Sequence, residues 1–576
     1  MSRIGVFVCH CGINIASTVD VERVAEEVER HPEVVYATSY KYMCSNPGQQ
    51  LVKDVVEEHN LDGVVVAACS PLMHEKTFRR AASAAGLNPY RCEMANIREQ
   101  CSWVHQQEPC RATEKAVEAV RSVVERVSLN EELEPSRLPV TKRALVIGGG
   151  IAGMQVALDV ADASFPVVLV EREAELGGKM ARLSGTYLNF AAAPGLLERK
   201  VEQVLNHPHI EVLTDAQVVG VEGYVGNFAV EVSSSVSPEP ETSNLKRETT
   251  YVEVGAIVVA TGWDPYALER LPEYGGGEIP DVIDGLTFEG MLRDGEGLRR
   301  PSDGRVPREV VFVQCAGSRD PERGVPYCSK VCCMYVAKQA MMFKDRVPDG
   351  QAYVFYIDIR SAGKGYDEYV QQAMEEHDIL YLRGKVSKTF RDGDKVLVWG
   401  ADTLSGRPVE VAADLVVLAT PMTPSRQALD LAKRLRVGVD QNGFFNEAHP
   451  KLRPVESLTA GIFLAGAAQG PKDIPETVSQ ASGAAAKVLQ LFSQDEMTQE
   501  PTVACVIEHF CSACGACVEA CPYDARSIHP VWHVATVNAA LCQNCGACVV
   551  ACPNKASQIY NWTPLQILAM TDMFVR

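Results

Sequence analysis

The chain is 576 residues long, enough for three or four domains, and its 46% apolar content is that of a globular protein. No stretch approaches the roughly eighteen apolar residues that a bilayer span needs. The net charge of −19, with no clustered basic tract, argues against a nucleic-acid surface. Twenty cysteines fall in three groups: seven in residues 9–110, four in 315–333 and nine in 505–552. The apolar run Ile4–Val8 is too short for a signal peptide and reads as a first strand. Thiols two or three residues apart, with no leader expected, point to metal ligation in a reducing cytoplasm rather than to disulfides.

Residues 1–133 are expected to form a small α/β domain. Val6-Phe7-Val8 and Val64–Ala68 are buried-strand runs, and Val19–Val28 has helical spacing. Cys9 and Cys11 follow the first strand, Cys69 follows Val64–Ala68, and Cys44 sits on a loop ending in Pro47-Gly48. The carboxyl ends of parallel strands are where α/β folds assemble sites. A cluster held by one of Cys9 or Cys11, with Cys44, Cys69 and Cys101, is therefore expected, Cys92 and Cys110 being spectators. The alternative is a docking domain with buried thiols. Glu131–Ser136 reads as a linker.

Residues 140–305 read as the first part of an FAD-binding domain. Ala144–Ile147 is a strand that breaks into Gly148-Gly149-Gly150-Ile151-Ala152-Gly153, and an apolar helix follows. A second strand, Pro166–Val170, then ends in Glu171. The glycines permit a tight turn and let the helix N-terminus approach a pyrophosphate, and the acid is placed for a ribose hydroxyl. Arg172, Gly178-Lys179 and Ala260-Thr261-Gly262 extend the site. In residues 401–490, read as the second part of this domain, Leu415–Thr420 is a further strand. Gly466-Ala467 with Gln469-Gly470 resembles the closing turn of two-dinucleotide-domain flavoproteins, with Ala467 where Asp is usual. That departure puts one ribityl hydrogen bond in doubt but not the cofactor.

Between these parts, residues 306–400 are expected to be an inserted NAD-like domain. Its first strand, Val310–Gln314, runs into Cys315-Ala-Gly-Ser-Arg319 rather than a glycine cradle, which disfavours a nicotinamide site. Cys315, Cys328, Cys332 and Cys333 are expected to hold a cluster; buried free thiols or a redox pair are the alternatives. Residues 497–576, after a linker at Ser493–Met497, carry two C-x2-C-x2-C-x3-C-P runs, the spacing of a two-[4Fe–4S] ferredoxin. The fourth cysteine of each run crosses to the other cluster. One cluster is thus expected on Cys511, Cys514, Cys517 and Cys552, and the other on Cys542, Cys545, Cys548 and Cys521. Cys505 reads as a buried spectator. The closing stretch Leu565–Phe574 is amphipathic, suited to docking a neighbour or to packing on its own ferredoxin domain.

Cys9-His-Cys11-Gly-Ile-Asn14, Met43-Cys44-Ser-Asn-Pro-Gly48, Ala68-Cys69-Ser-Pro71, Asn96 through Cys101 to His105, Tyr327-Cys328 through Cys332-Cys333, and Gln469-Gly-Pro-Lys472-Asp-Ile-Pro-Glu476 form one constellation. Together they resemble the A-type subunit of heterodisulfide reductase (the HdrA family), over the whole chain. The methanogen form carries an additional ferredoxin insertion, which would fall near residues 230–250. Here Ser233–Lys246 is a polar, cysteine-free loop, so the chain resembles the shorter form.

The resemblance implies a thioredoxin reductase-like, two-dinucleotide-domain core between an N-terminal α/β domain and a C-terminal α+β ferredoxin domain. It implies FAD that splits electron pairs between ferredoxin and a high-potential acceptor. It also implies a dimer within a complex of B/C-type and electron-input subunits. A lysine near flavin N5 would stabilise the reduced ring, and Lys472 and Lys451 are the candidates. The competing readings are a non-bifurcating conduit of the quinone-interacting type and, disfavoured by the missing cradle, a reductase like the small subunit of glutamate synthase.

Overall fold

The computed structural model describes residues 2–235, 247–293 and 297–573, and the chain divides into two compact units. One joins residues 1–138 to residues 498–576, so the expected domains 1–133 and 497–576 share a unit; the other is residues 139–497.

In the first unit, four parallel strands lie in the order Val34–Tyr40, Ile4–Cys9, Gly63–Ala68, Cys92–Asn96. The two central strands are buried along their whole length, as expected of apolar runs covered by helices on both faces. Because all four strands run one way, the segments bearing Cys11, Cys44, Cys69 and Cys101 leave at one edge of the sheet. The tail is built from two antiparallel ribbons, Ala504–Val506 with Ser557–Ile559 and Arg526–Ile528 with Ala535–Val537. Each half adds a short helix, Ala516–Glu519 or Ala547–Ala551.

The amphipathic end forms the helix Pro564–Asp572, started by a Thr563–Gln566 capping box. It packs on Pro109–Ser128, the last helix of the N-terminal domain. A buried polar node fastens this join. Glu93 is 5% exposed and lies 3.1 Å from Arg126. The Arg126 guanidinium sits 3.8 Å above the Trp562 ring, and its Nε donates to the Asn561 carbonyl. Gln566 donates to Asn130 at 2.7 Å, and Asn130 donates to Glu93. Burial raises the Glu93 pKa, against the pull of Arg126 and Arg79.

The second unit contains two parallel five-stranded sheets. The first has the order Ile462–Leu464, Ala256–Val259, Ala144–Ile147, Val167–Val170, Ile210–Leu213. The second has the order Val282–Asp284, Leu415–Leu418, Glu309–Val313, Gln351–Tyr356, Leu380–Arg383. The boundaries 140–305, 306–400 and 401–490 therefore shift. Val282–Asp284 and Leu415–Leu418 belong to the inserted sheet, which starts before residue 306 and closes after residue 400. Leu415–Thr420 and Val258–Thr261 read alike in sequence, and only their pairing partners separate them. Of the expected polar loop, residues 236–246 lie outside the described residues. Its flanks, Asn227–Ser235 and Arg247–Val254, pair antiparallel. No helix among the described residues is long and apolar enough to cross a membrane.

Removing one member of a buried ion pair strands its partner. Arg126→Met leaves Glu93 with Arg79 as its remaining cation, at 3.8 Å, and should destabilise the first unit by about 3–5 kcal/mol. Thermal unfolding reads the loss, and limited proteolysis beyond residue 560 should become faster.

Candidate functional site

The helix Ile151–Asp162 begins where the strand Ala144–Ile147 turns. A Cβ at Gly153 would lie 1.8 Å from the Gly148 carbonyl oxygen, so only glycine lets helix and turn pack this closely. At Gly150 a Cβ would meet nothing within 4 Å. That face opens into a cavity of about 790 Å³, lined also by Gly148, Ile151, Ala152, Glu171, Arg172, Gly178, Lys179, Ala260, Thr261, Gly262, Ala467 and Lys472. Of the expected set, Gly153, Gly466, Gln469 and Gly470 do not line it.

Glu171 is buried, and its carboxylate accepts the Gly149 and Glu173 backbone N–H groups at 2.5 and 3.0 Å. The Thr261 hydroxyl is buried with no partner. An open glycine face, a helix N-terminus, an acid and an idle hydroxyl together fit a dinucleotide.

The opposite wall comes from the inserted domain. Tyr335, Lys338 and Gln339 of the helix Cys332–Arg346 line the cavity, with Glu289 beside them. Lys338 is 2% exposed; its Nζ donates to Glu289 at 2.7 Å and to the Gly185 carbonyl at 2.8 Å. Glu289 also accepts from the Ser184 backbone and hydroxyl and from Gln339. Burial lowers the Lys338 pKa, opposed by Glu289. Neither residue belongs to a sequence motif. The available signal was a Lys-Gln pair inside an otherwise apolar helical run.

Lys472 lines the cavity and donates to Gln469 at 2.9 Å. Burial pulls its pKa down to about 8, against Glu476 and Glu447. Lys451 sits on an exposed turn, its backbone N–H donating to His449, and does not line the cavity; the structure does not bring this candidate to the site. Asp473 caps the helix Ile474–Phe492 and accepts the Tyr187 and Tyr366 hydroxyls at 2.8 and 2.5 Å, tying the inserted domain to the flavin side.

The four middle thiols converge. Burial raises the pKa of Cys315, Cys332 and Cys333, that of Cys333 to about 11. Cys328 adds to the rise in all three, and Cys315 adds to it in Cys332 and Cys333. Cys315 adopts a left-handed φ of 59°. Such conformations are costly for a side chain with a Cβ and persist where surrounding structure imposes them. The Lys330 and Arg360 backbone N–H groups point at Cys328 and Cys333, at 3.2 and 3.4 Å.

In the first unit, Cys9 accepts the Cys11 and Met43 N–H groups. Burial raises its pKa, and Cys11 and Cys44 add to the rise. Cys69 is pushed to about 11 by burial, against Arg98 and with Cys11 and Cys9 adding. Both Cys9 and Cys11 thus gather with Cys44 and Cys69. Cys101 packs in the core with Ile4, Val6 and Ile97, and none of the other thiols contributes to its shift. Cys92 is buried at the start of its strand and Cys110 is exposed.

In the tail, Cys511, Cys514, Cys517 and Cys552 surround one small cavity, and Cys521, Cys542, Cys545 and Cys548 surround another. The Ala535, Ala525 and Ala504 N–H groups point at Cys511, Cys521 and Cys542. Such donors fit thiolates that bear cluster charge. Cys505 lines neither cavity. No set of three or more His, Cys, Asp or Glu is arranged for a single metal ion among the described residues.

A pyridine nucleotide-disulphide oxidoreductase family model matches residues 142–302, and a 4Fe-4S dicluster domain matches residues 510–556. The second of two A-type iron-sulfur subunits of CoB–CoM heterodisulfide reductase from Methanopyrus kandleri is 42% identical over 594 residues, covering 91% of this chain and 90% of the relative. The A-type subunit of the H(2):CoB-CoM heterodisulfide,ferredoxin reductase of Methanothermobacter thermautotrophicus is 40% identical over 597 residues, with the same coverages. Alignments longer than the 576-residue chain place gaps in it, as expected of a shorter form. Among solved structures, Lactococcus lactis thioredoxin reductase aligns with a TM-score of 0.41 and 17% identity, over 61% of this chain and 99% of that one.

Gly150→Ala places a methyl group in the cavity and touches no protein atom. The variant should fold and keep its iron while binding FAD at least tenfold more weakly, about 1.4 kcal/mol. Flavin and iron content of the purified protein check this.

Proposed function

Because the chain belongs to the HdrA family, the A-type subunits of heterodisulfide reductases, we propose that it is the electron-bifurcating subunit of such a complex. In this reading, electron pairs from a two-electron donor are divided between ferredoxin and a high-potential acceptor. Bound in the cavity, FAD supplies the exchange between two-electron and one-electron chemistry. Everything else falls to the chain's own residues.

The observation that carries the reading is a shared helix. Cys332–Arg346 presents Tyr335, Lys338 and Gln339 to the cavity and Cys332 and Cys333 to the four-thiol set. Tyr335 lines the cavity and neighbours the Cys332 thiol. A one-electron exit thus stands one side chain from the flavin site. The proposed ligands are Cys315, Cys328, Cys332 and Cys333 here, the two crossed sets in the tail, and Cys9, Cys11, Cys44 and Cys69 in the N-terminal domain.

Lys472 is assigned as the donor to the flavin ring. A cation at this wall favours the negative charge that reduction adds. With a pKa of about 8, Lys472 carries that charge at neutral pH and loses it as pH rises through 8. Lys338, fixed by Glu289, adds a second cation. Glu171 and Thr261 hold the nucleotide end. The proposed partners are the other subunits of the complex and ferredoxin, the latter supported by the name of the Methanothermobacter relative. The proposed setting is a reducing cytoplasm, where thiolate-held clusters persist.

Coupling distinguishes bifurcation from conduction. In the intact complex, ferredoxin reduction should stop when the high-potential acceptor is withheld and resume when it is restored. An equal rate in both conditions means simple conduction along one path.

A further inference from the structure

The two halves of the tail repeat at an interval of 31 residues, which pairs Cys511 with Cys542, Cys521 with Cys552 and Ile528 with Ile559. Five residues past the last cysteine of each half, the symmetry fails. The first half has Arg526 and the second has Ser557.

Arg526 is 4% exposed and lines the cavity of Cys521, Cys542, Cys545 and Cys548. Ser557 lines the other cavity. One guanidinium nitrogen, Nη2, donates to the Ser557 hydroxyl at 2.6 Å. The other two, Nε and Nη1, are buried and have no hydrogen-bond partner. Among the described residues no carboxylate pairs with this cation. A buried charge with two idle donors is costly unless an anion faces it. A [4Fe–4S] cluster on four thiolates is such an anion. The guanidinium already pulls the Cys548 thiol down against the effect of burial.

We infer that Arg526 makes the two tail clusters unequal, so that the cluster of Cys521, Cys542, Cys545 and Cys548 is the easier to reduce. Reduction adds one negative charge to the cluster, and a buried guanidinium beside it stabilises that charge strongly because little water screens the pair. The other cluster has a neutral hydroxyl in the equivalent place. Ser557 carries no charge and only receives one guanidinium hydrogen bond, so the effect on its side is weaker. An electron entering the tail then settles on the Arg526 side. The inference requires only that the tail hold its two clusters and is independent of bifurcation.

Anaerobic redox titration of the intact holoprotein, followed by EPR of the reduced clusters, tests this. In Arg526→Met the higher of the two tail potentials should fall by at least tenfold in its equilibrium constant, about 59 mV for one electron. The other potential should move less. Arg526→Lys, which keeps the charge, should preserve the order. In an otherwise unaltered chain, Cys545→Ser should remove or perturb the higher-potential signal. An unchanged gap in Arg526→Met with full iron content overturns the inference. So does a Cys545→Ser variant that perturbs the lower-potential signal, and this second result decides the matter even if Arg526→Met loses a cluster.

Discussion

The buried Lys338–Glu289 pair is the join on which the second unit's chemistry depends. A lone buried ammonium is costly, and here the cost is offset by one carboxylate and a carbonyl at normal hydrogen-bond distance. Glu289 in turn holds Ser184 through both its backbone N–H and its hydroxyl. The segment after the Gly177-Gly178 pair is thereby fastened to the helix that bears Cys332 and Cys333. Loosening the pair would move the thiols and the cavity wall independently, and the proposed one-electron path depends on holding them together.

The thiol sets share a second constraint, the confinement of negative charge. Burial raises the pKa of Cys9, Cys69, Cys332 and Cys333, so as free thiols they are poorly poised to ionise. In the proposed clusters iron would reverse that preference, and backbone N–H groups are placed to receive the resulting charge. N–H groups point at Cys9, Cys328, Cys511, Cys521 and Cys542. Cys11, Cys315 and Lys330 hold left-handed backbone angles of 50°, 59° and 61°, a local cost that the surrounding packing sustains.

The features legible in the sequence are those written within a few residues. The glycine turn at 148–153 and the two four-cysteine runs carry their geometry in their spacing, and the structure places them around a cavity and two small pockets. Contacts between distant segments were not legible. Lys338 and Glu289 are 49 residues apart, and Arg126 meets Trp562 across more than four hundred. Leu415–Leu418 and Ala256–Val259 are equally apolar strands, assigned to different sheets only by their neighbours. Cys101 shares an edge of the sheet with the other N-terminal thiols, but its segment turns it into the core. Lys451 and Lys472 both suited the ring by charge, and burial separates them.

The central claim is that the cavity delivers single electrons to the cluster of Cys315, Cys328, Cys332 and Cys333. The most direct measurement is flash photoreduction of the flavin in the holoprotein, followed by visible absorbance, in the parent chain and in Cys333→Ala. The account predicts that iron–sulfur bleaching appears as the first phase after the flash. That phase should vanish in the variant, while its tail clusters remain reducible by dithionite. A first phase of unchanged rate and amplitude in Cys333→Ala would contradict it.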